Sequence, residues 1–258
     1  MGKKVLTMEE MEAIRSREEL INRWGEDTIS MFMGSKKAGT PSNRLCITTL
    51  SVCSTYCKAI MTLLQNGLRM PTQALIRILF EVSMKVSWCL YGPGADPDKS
   101  ESAVDKRING WAKASLDEDR KLRKDYLNIV TEEERKRLAE TIAESEEMLK
   151  HWECDSMPEN FYRLTKDLGD TWQKEFYPQM YRRFNSAVHL DFASLCNKAK
   201  DQGPNIAVAN DSDEPLEELA QYCVAIMHII FFVIREYYGW NTAEMHTEFN
   251  RTIQSRNA

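Results

Sequence analysis

Apolar residues recur at helical spacing along most of the chain, and this pattern predicts helices almost throughout. Residues 8–33 form one such pattern, and a second runs from about residue 43 to Asn66. The third, Thr72–Tyr91, carries apolar residues on nearly all of its faces, so we expect it in the middle of a bundle. Neither strand-like alternation nor an internal repeat recurs in the sequence, which predicts an all-α fold.

Start and stop signals separate these helices. Ser42 or Asn43 is expected to cap the second helix, and Gly67 supplies a left-handed residue at its end. Pro71 is expected in the first turn of the third helix, where its missing amide hydrogen costs no hydrogen bond. The short connection predicts that the second and third helices pack as an antiparallel hairpin.

Charge becomes dense between residues 101 and 152. The pattern is that of two helices, the second of which begins after Thr131, where Glu134 completes a capping box. Their apolar seam is narrow, so we expect an exposed helical hairpin, inserted in the bundle and leaning on it or on a second subunit. We therefore divide the chain into an N-terminal helix with its connector, residues 1–41, and a helical bundle, residues 42–258.

The C-terminal part of the chain predicts further helices. A short one ends at Gly169, and a longer one begins at or near Pro178 and continues past Leu195. The last long helix is entered through Pro215, and a terminal helix follows it. The most apolar stretch of the last long helix, Leu219–Ile234, has 16 residues. A bilayer needs roughly 20, so we expect a buried central helix and no membrane partner.

Composition narrows the class of protein. The chain has 34 Lys and Arg against 39 Asp and Glu, and the net charge of −5 excludes a basic field over the whole molecule for nucleic-acid binding. Seven scattered cysteines and the lack of a secretory pattern predict a cytoplasmic protein. Cys53 and Cys57 share one helical face, but no further ligands are near, so core packing is favoured over a zinc site. We expect no metal and no cofactor.

The first candidate for chemistry is the pair Arg77 and Glu81, which lie four residues apart in an otherwise apolar helix. At that spacing the two charges can meet on one face, whereas an unpaired buried ion would cost several kcal/mol. One interpretation is a buried bridge that holds the helical hairpin together. The other assigns a phosphate to Arg77 and the orientation of a neighbouring side chain to Glu81.

The second candidate lies about a hundred residues later. Arg182 and His189 are seven residues apart and share one face of an α-helix, with Ser186 between them, whereas Arg183 points about 100° away. Metal-free cleavage of RNA needs a base that titrates near neutral pH and a cation, which histidine and arginine supply. The competing interpretation is a polar seam in which Ser186 and His189 hydrogen-bond to Glu81 or to a backbone carbonyl.

Taken together, the two segments resemble an uncharacterised bacterial family that is similar to HEPN, the higher-eukaryote and prokaryote nucleotide-binding group. The resemblance covers roughly Asn43 to Leu195 and rests on Ala74-Leu-Ile-Arg77-Ile-Leu-Phe-Glu81 and on Tyr181-Arg182-x-x-x-Ser186-x-Val188-His189. HEPN domains are helical bundles, often dimeric, and many members carry an arginine and a histidine with four to six residues between them. Active members are metal-independent ribonucleases. The resemblance implies that His189 is the base and that Arg182 or Arg183 binds the scissile phosphate. It places Arg77, Glu81, Tyr181, Asn185 and Ser186 in the binding site or polar core.

Two functions follow as hypotheses. The first is a HEPN-like module of bacterial stress or phage defence, which associates with RNA or a nucleotide and uses its polar core without catalysis. The alternative is a metal-independent endoribonuclease whose composite site combines Arg182, Arg183 and His189 across a homodimer. Active HEPN nucleases usually have a polar residue directly after the motif arginine, whereas here Phe184 follows Arg183 and Asn185 comes one place later. That departure favours the module. The expected partners are a second copy of the chain and RNA or a nucleotide, with a partner protein as a further possibility.

Overall fold

The computed structural model describes residues 6–33, 39–94, 98–127, 129–185, 199–202, 205–208 and 215–254. Helices form most of this part of the chain. They are α1 (Met8–Met33), α2 (Pro41–Gln65), α3 (Arg69–Tyr91), α4 (Glu101–Tyr126), α5 (Glu132–Lys150), α6 (Phe161–Leu168), a π-helix (Trp172–Arg182), α7 (Leu216–Tyr237) and α8 (Ala243–Gln254). The predicted helical fold class is therefore confirmed.

One short strand pair departs from the predicted all-helical pattern. Strands β1 (Ala199–Gln202) and β2 (Asn205–Val208) pair antiparallel, with Ala199 opposite Val208. The Gly203-Pro204 dipeptide between them in sequence lies outside the described residues. The predicted continuation of the preceding helix past Leu195 lies outside the described residues.

Helices α3 and α7 form the centre of the bundle and pack on each other more extensively than any other pair of described elements. Both were expected to be buried, and both are, with Phe80 and Phe231 among their fully buried side chains. Helix α1 packs on α2 and α7, and its Trp24 is buried in the same apolar core. The buried apolar surface thus comes from helices far apart in sequence. Burial of this surface is the main contribution to the stability of such a bundle.

The start of α2 differs by two or three residues from the prediction. Thr40 is the cap, and its hydroxyl oxygen accepts a hydrogen bond from the backbone amide of Asn43 at 3.2 Å. Pro41 then occupies the first helical position, where its fixed φ is already helical. The predicted caps Ser42 and Asn43 instead lie inside the first turn. Gly67 has a φ of 71°, as expected of the residue that ends the helix.

The charged segment forms helices α4 and α5, which pack on each other. Thr131 and Glu134 form the predicted capping box at the start of α5. Helix α4 leans on α2 and α3, while α5 packs on α4, so the bundle supplies the support for this hairpin. Its basic side chains pair with neighbouring acids, for example Arg123 with Asp119 at 2.6 Å. Such exposed pairs contribute little to stability, because water already solvates both charges.

Two described helices, α2 and α7, are long and apolar enough to cross a membrane when judged by length and composition alone. In the bundle, 39% of the apolar window of α2 and 61% of that of α7 are buried inside the protein. Helix α7 also carries the buried polar side chains His228 and Arg235. The packing of α7 is that of a central helix in a folded bundle, as its sequence predicts.

Candidate functional site

The predicted pair Arg77 and Glu81 meets on α3. The Nε atom of Arg77 donates to Oε1 of Glu81 at 3.1 Å, in the geometry expected four residues apart on a helix. Arg77 is only 5% exposed, so its charge has little contact with water. An adjacent carboxylate therefore offsets much of the cost of burying this guanidinium.

Tyr181 completes the cluster from the π-helix. Its hydroxyl oxygen accepts a hydrogen bond from Nη2 of Arg77 at 2.9 Å, and the Cζ atom of Arg77 lies 4.4 Å from the centre of its ring. Burial raises the pKa of Tyr181, and the neighbouring Arg77 opposes that shift. The phenol is therefore protonated at neutral pH and can also donate a hydrogen bond of its own.

Aromatic rings hold Tyr181 in place. Its ring stacks on that of Tyr177, with centroids 5.0 Å apart and planes 14° from parallel, and it makes a tilted contact with Phe161 at 5.0 Å. Trp172 stacks on Phe80 of α3. The rings of Trp172, Tyr177 and Tyr181 thus all pack against other rings of the protein.

The helix that carries Tyr181 begins earlier and is wound differently from the prediction. It was expected to start at or near Pro178 as an α-helix, but a π-helix runs from Trp172 to Arg182 with Pro178 inside it. In an α-helix, an interior proline removes one backbone hydrogen bond and clashes with the preceding turn. The wider π winding accommodates the proline, and such segments occur frequently at functional sites.

One donor of Arg77 remains after these contacts. The Nη1 atom is buried and has no hydrogen-bond partner among the described residues, whereas Nε and Nη2 are both satisfied. A buried guanidinium with an unused donor beside a phenol hydroxyl can bind an anionic oxygen. The Arg77, Glu81 and Tyr181 side chains are hereafter called the Arg77 cluster.

The two predicted phosphate-binding arginines differ in their contacts with the described residues. Arg183 lies against α7, where its Nη1 atom donates to Oε1 of Glu218 at 3.0 Å and to the hydroxyl of Tyr222. Arg182 is exposed, and no ion pair joins it to the described part of the chain. Arg183 therefore has a carboxylate partner that no pattern in the sequence indicated.

The rest of the predicted site begins at Asn185, which is half-buried and follows the fully buried Phe184. Ser186 and His189 lie outside the described residues, so the proposed dyad of Arg182 and His189 stays a prediction.

The described residues contain no group of three or more His, Cys, Asp or Glu side chains that could hold a metal ion. Cys53 and Cys57 are buried, as the interpretation of core packing predicts. The Sγ atom of Cys57 lies 3.7 Å from that of Cys223 on α7. Burial raises the pKa of Cys53 to about 12, which keeps its thiol protonated and a poor metal ligand.

Sequence comparison extends this picture to a family. A family of unknown function, DUF5677, matches residues 43–205, more than half of the chain. The matched region contains the Arg77 cluster, the π-helix and the charged hairpin. No curated protein and no solved structure matches the chain significantly.

Proposed function

We propose that the chain, which belongs to the DUF5677 family of unknown function, is a HEPN-like module that binds RNA or a nucleotide through phosphate at the Arg77 cluster. The observation that carries the proposal is the buried Nη1 donor of Arg77, which has no partner among the described residues. Charge-assisted hydrogen bonds from arginine to phosphate are strong and directional, so one such donor suits a phosphate oxygen.

The position of the cluster supports this assignment. Tyr181 touches Arg77 and directly precedes the exposed Arg182, so a second cation lies next in sequence to the cluster. The net charge of −5 leaves no general attraction for polyanions, and local cations must supply the affinity. Binding should therefore depend on a small number of phosphate contacts.

A direct test measures binding by fluorescence anisotropy, with a fluorescein-labelled twelve-nucleotide single-stranded RNA and with ATP as competitor. Arg77→Gln and Arg182→Ala are each expected to weaken RNA binding by about tenfold. Arg137→Ala is the matched control, because Arg137 is an exposed arginine of α5 paired only to Glu133 within the described residues. The observed affinity should fall linearly with salt on logarithmic axes, with a shallow slope.

Two results would contradict the proposal. One is the absence of saturable binding by folded wild-type protein. The other is an equal loss in Arg137→Ala, which would indicate non-specific attraction to surface cations. Circular dichroism melts of each variant separate loss of binding from loss of the fold.

The second candidate is the metal-independent endoribonuclease. Its support is the sequence spacing of Arg182 and His189, which agrees with the loose HEPN motif. Arg182 is also exposed. Wild-type and His189→Ala proteins are incubated with mixed cellular RNA in EDTA. Cleavage by wild type alone, with matched melting temperatures, would establish catalysis. RNA binding without cleavage would leave the non-catalytic module.

We further propose a cytoplasmic homodimer. The support for a second copy is the far end of the charged hairpin, where Leu122, Tyr126 and Ile129 are 59%, 55% and 75% exposed. Clustered exposed apolar side chains mark surfaces that contact a partner. Light scattering of wild type and Leu122→Asp tests the proposal, with a dimer expected for wild type and a monomer for the variant. A monomeric wild type would contradict it.

A further inference from the structure

A cavity of about 770 Å³ lies in the bundle, apart from the Arg77 cluster. Aromatic and aliphatic side chains from the π-helix, α7 and α8 form most of its wall, including Trp172, Phe176, Phe232 and Phe249. Its volume falls within the range of roughly 300–1,000 Å³ that is typical of small-molecule sites. The residues of the π-helix that line the cavity differ from Tyr177 and Tyr181, so the same helix contributes to two separate sites.

Four buried polar atoms belong to residues that line this cavity and have no hydrogen-bond partner among the described residues. They are Oγ of Ser87, the hydroxyl of Tyr91, Nε2 of Gln221 and Nε2 of His228. A buried polar atom without a partner costs free energy comparable to that of a lost hydrogen bond. Seven described side-chain atoms are of this kind, and four of the seven belong to residues that line one cavity, which is the concentration expected of a binding site.

The orientation of two of these groups is set by the surrounding structure. The amide oxygen of Gln221 accepts a hydrogen bond from Nε of Arg17 at 3.3 Å, which leaves its amide nitrogen as the unused donor. The imidazole of His228 stacks on Phe249, with ring centroids 4.0 Å apart and planes 7° from parallel. His228 is only 6% exposed, so its ring position is held by packing.

The cavity interior is electrically neutral. Burial lowers the pKa of His228 to about 4, with a further contribution from His246, and burial raises the pKa of Tyr91, so both groups are uncharged at pH 7. None of the described lining residues is acidic. The ionisable side chains Lys99 and His246 also line the cavity but are exposed, which places them at its rim. An ion inside such a space would lack a counter-charge and would be strongly disfavoured.

We infer that this cavity is a binding site for a small, uncharged amphipathic molecule, with an apolar body and a hydroxyl or carbonyl group. The apolar body fills the space between the aromatic rings, and the oxygen of the polar group accepts hydrogen bonds from donors such as Nε2 of Gln221 and the hydroxyl of Ser87. This site is additional to the phosphate-binding function proposed above and does not depend on it.

The test uses Nile red, a neutral lipophilic dye with a carbonyl group, in a fluorescence titration of the full chain at pH 7.5. Saturable binding with one dye per chain is expected. Ala225 lines the cavity from α7, and Ala225→Trp should reduce the affinity for the dye at least about tenfold, because the indole occupies the space. Ala225→Leu provides a smaller substitution if the tryptophan variant fails to fold, with a smaller loss in the same direction.

Control variants separate this site from other apolar surface. Leu122→Ala removes an exposed apolar side chain of the hairpin and should leave dye binding unchanged. Arg182→Ala should also leave it unchanged, so failure of the cavity site and failure of the phosphate site give different results. Competition between decanol and decanoate then tests the polar group. The alcohol should displace the dye at least about tenfold better, and Ser87→Ala should reduce that advantage.

Three outcomes would overturn the inference. The first is the absence of saturable dye binding by wild type. The second is unchanged binding in folded Ala225→Trp, which would place the dye elsewhere. The third is stronger displacement by decanoate that is lost in Lys99→Ala, which would show that the site binds an acid through its rim.

Discussion

Arg77 contacts Tyr181 in two ways at once, through a hydrogen bond from Nη2 to the phenol oxygen at 2.9 Å and through a guanidinium position 4.4 Å from the ring centre. The two residues are 104 positions apart, so this contact joins α3 to the π-helix. The contribution of the hydrogen bond to the free energy of unfolding can be measured, because the phenol oxygen can be removed without removing the ring.

Tyr181→Phe is expected to lower the free energy of unfolding by about 1–2 kcal/mol, because a hydrogen bond to a buried charge is lost while the ring packing is retained. Urea denaturation measures the change. Tyr177→Phe is the matched control, since Tyr177 stacks on Tyr181 and its hydroxyl has no partner among the described residues. That control should change the free energy by less than about 0.5 kcal/mol. Equal effects in both variants would show that the Arg77 hydrogen bond contributes nothing measurable.

Two helical glycines should respond in opposite ways to alanine. A Cβ atom at Gly110 of α4 would overlap the backbone oxygen of Asp155, and a backbone atom cannot rotate out of the way. Gly110→Ala should therefore destabilise the protein by more than about 2 kcal/mol. At Gly25 of α1 the nearest atom, in the ring of Phe231, would lie at an ordinary 3.6 Å.

Gly25→Ala should accordingly be neutral or stabilising by up to about 1 kcal/mol, because alanine favours the helix. Thermal melts followed by circular dichroism compare the two variants. A Gly110→Ala protein as stable as wild type would show that the loop around Asp155 does not approach α4 as closely as described.

His228 should make the protein sensitive to mild acid. Its pKa is lowered from 6.5 to about 4 on folding, chiefly by burial, so the unfolded chain binds the proton more readily between these values. The stability contributed by keeping the imidazole neutral is fully present above pH 6.5 and is lost as the pH falls toward 4. At pH 4.5 the loss should amount to roughly 2–3 kcal/mol relative to pH 7.

His228→Gln removes this titration and should flatten that part of the stability profile in urea denaturation series. Carboxylates titrate in the same range in both proteins, so the informative quantity is the difference between the two profiles. Parallel profiles would refute the buried neutral imidazole.

Thiol reactivity should follow burial. Of the six described cysteines, five are buried and only Cys154 is half-exposed. Burial raises the pKa of Cys46 to about 12, so few of the buried thiols ionise at pH 8. Labelling of native Cys196→Ser protein with a chromogenic disulfide reagent should modify one thiol rapidly, and adding Cys154→Ser should abolish that phase. Several rapid thiols in the native double variant would contradict the packing of α2 against α7.

Features of local origin were predictable from the sequence. The capping box of Thr131 and Glu134 depends on two side chains three residues apart, and the pair of Arg77 and Glu81 on two side chains four apart. The burial of α3 follows from its continuous apolar pattern. In each case the interacting groups lie on one helix, so periodicity alone brings them together.

Features that join distant segments were not predictable. No sequence signal indicated that the hydroxyl of Tyr181 would accept a hydrogen bond from Arg77. Pro178 was predicted to start a helix because proline favours the first turn. In the structure it lies inside a π-helix, and this π-helix packs against α3 and α6. The cavity could not be predicted from the sequence, because its lining side chains come from separate segments between Ser87 and Ile253.

The sequence by itself determined a helical bundle with a charged hairpin, because the free energy of each helix depends on apolar spacing and capping within a few residues of its own position. Tertiary structure alone decided which donor of Arg77 stays unpaired and which carboxylate pairs with Arg183. It also decided which polar residues lie around the cavity. Those outcomes depend on how helices far apart in sequence pack side by side, and no local pattern encodes that arrangement.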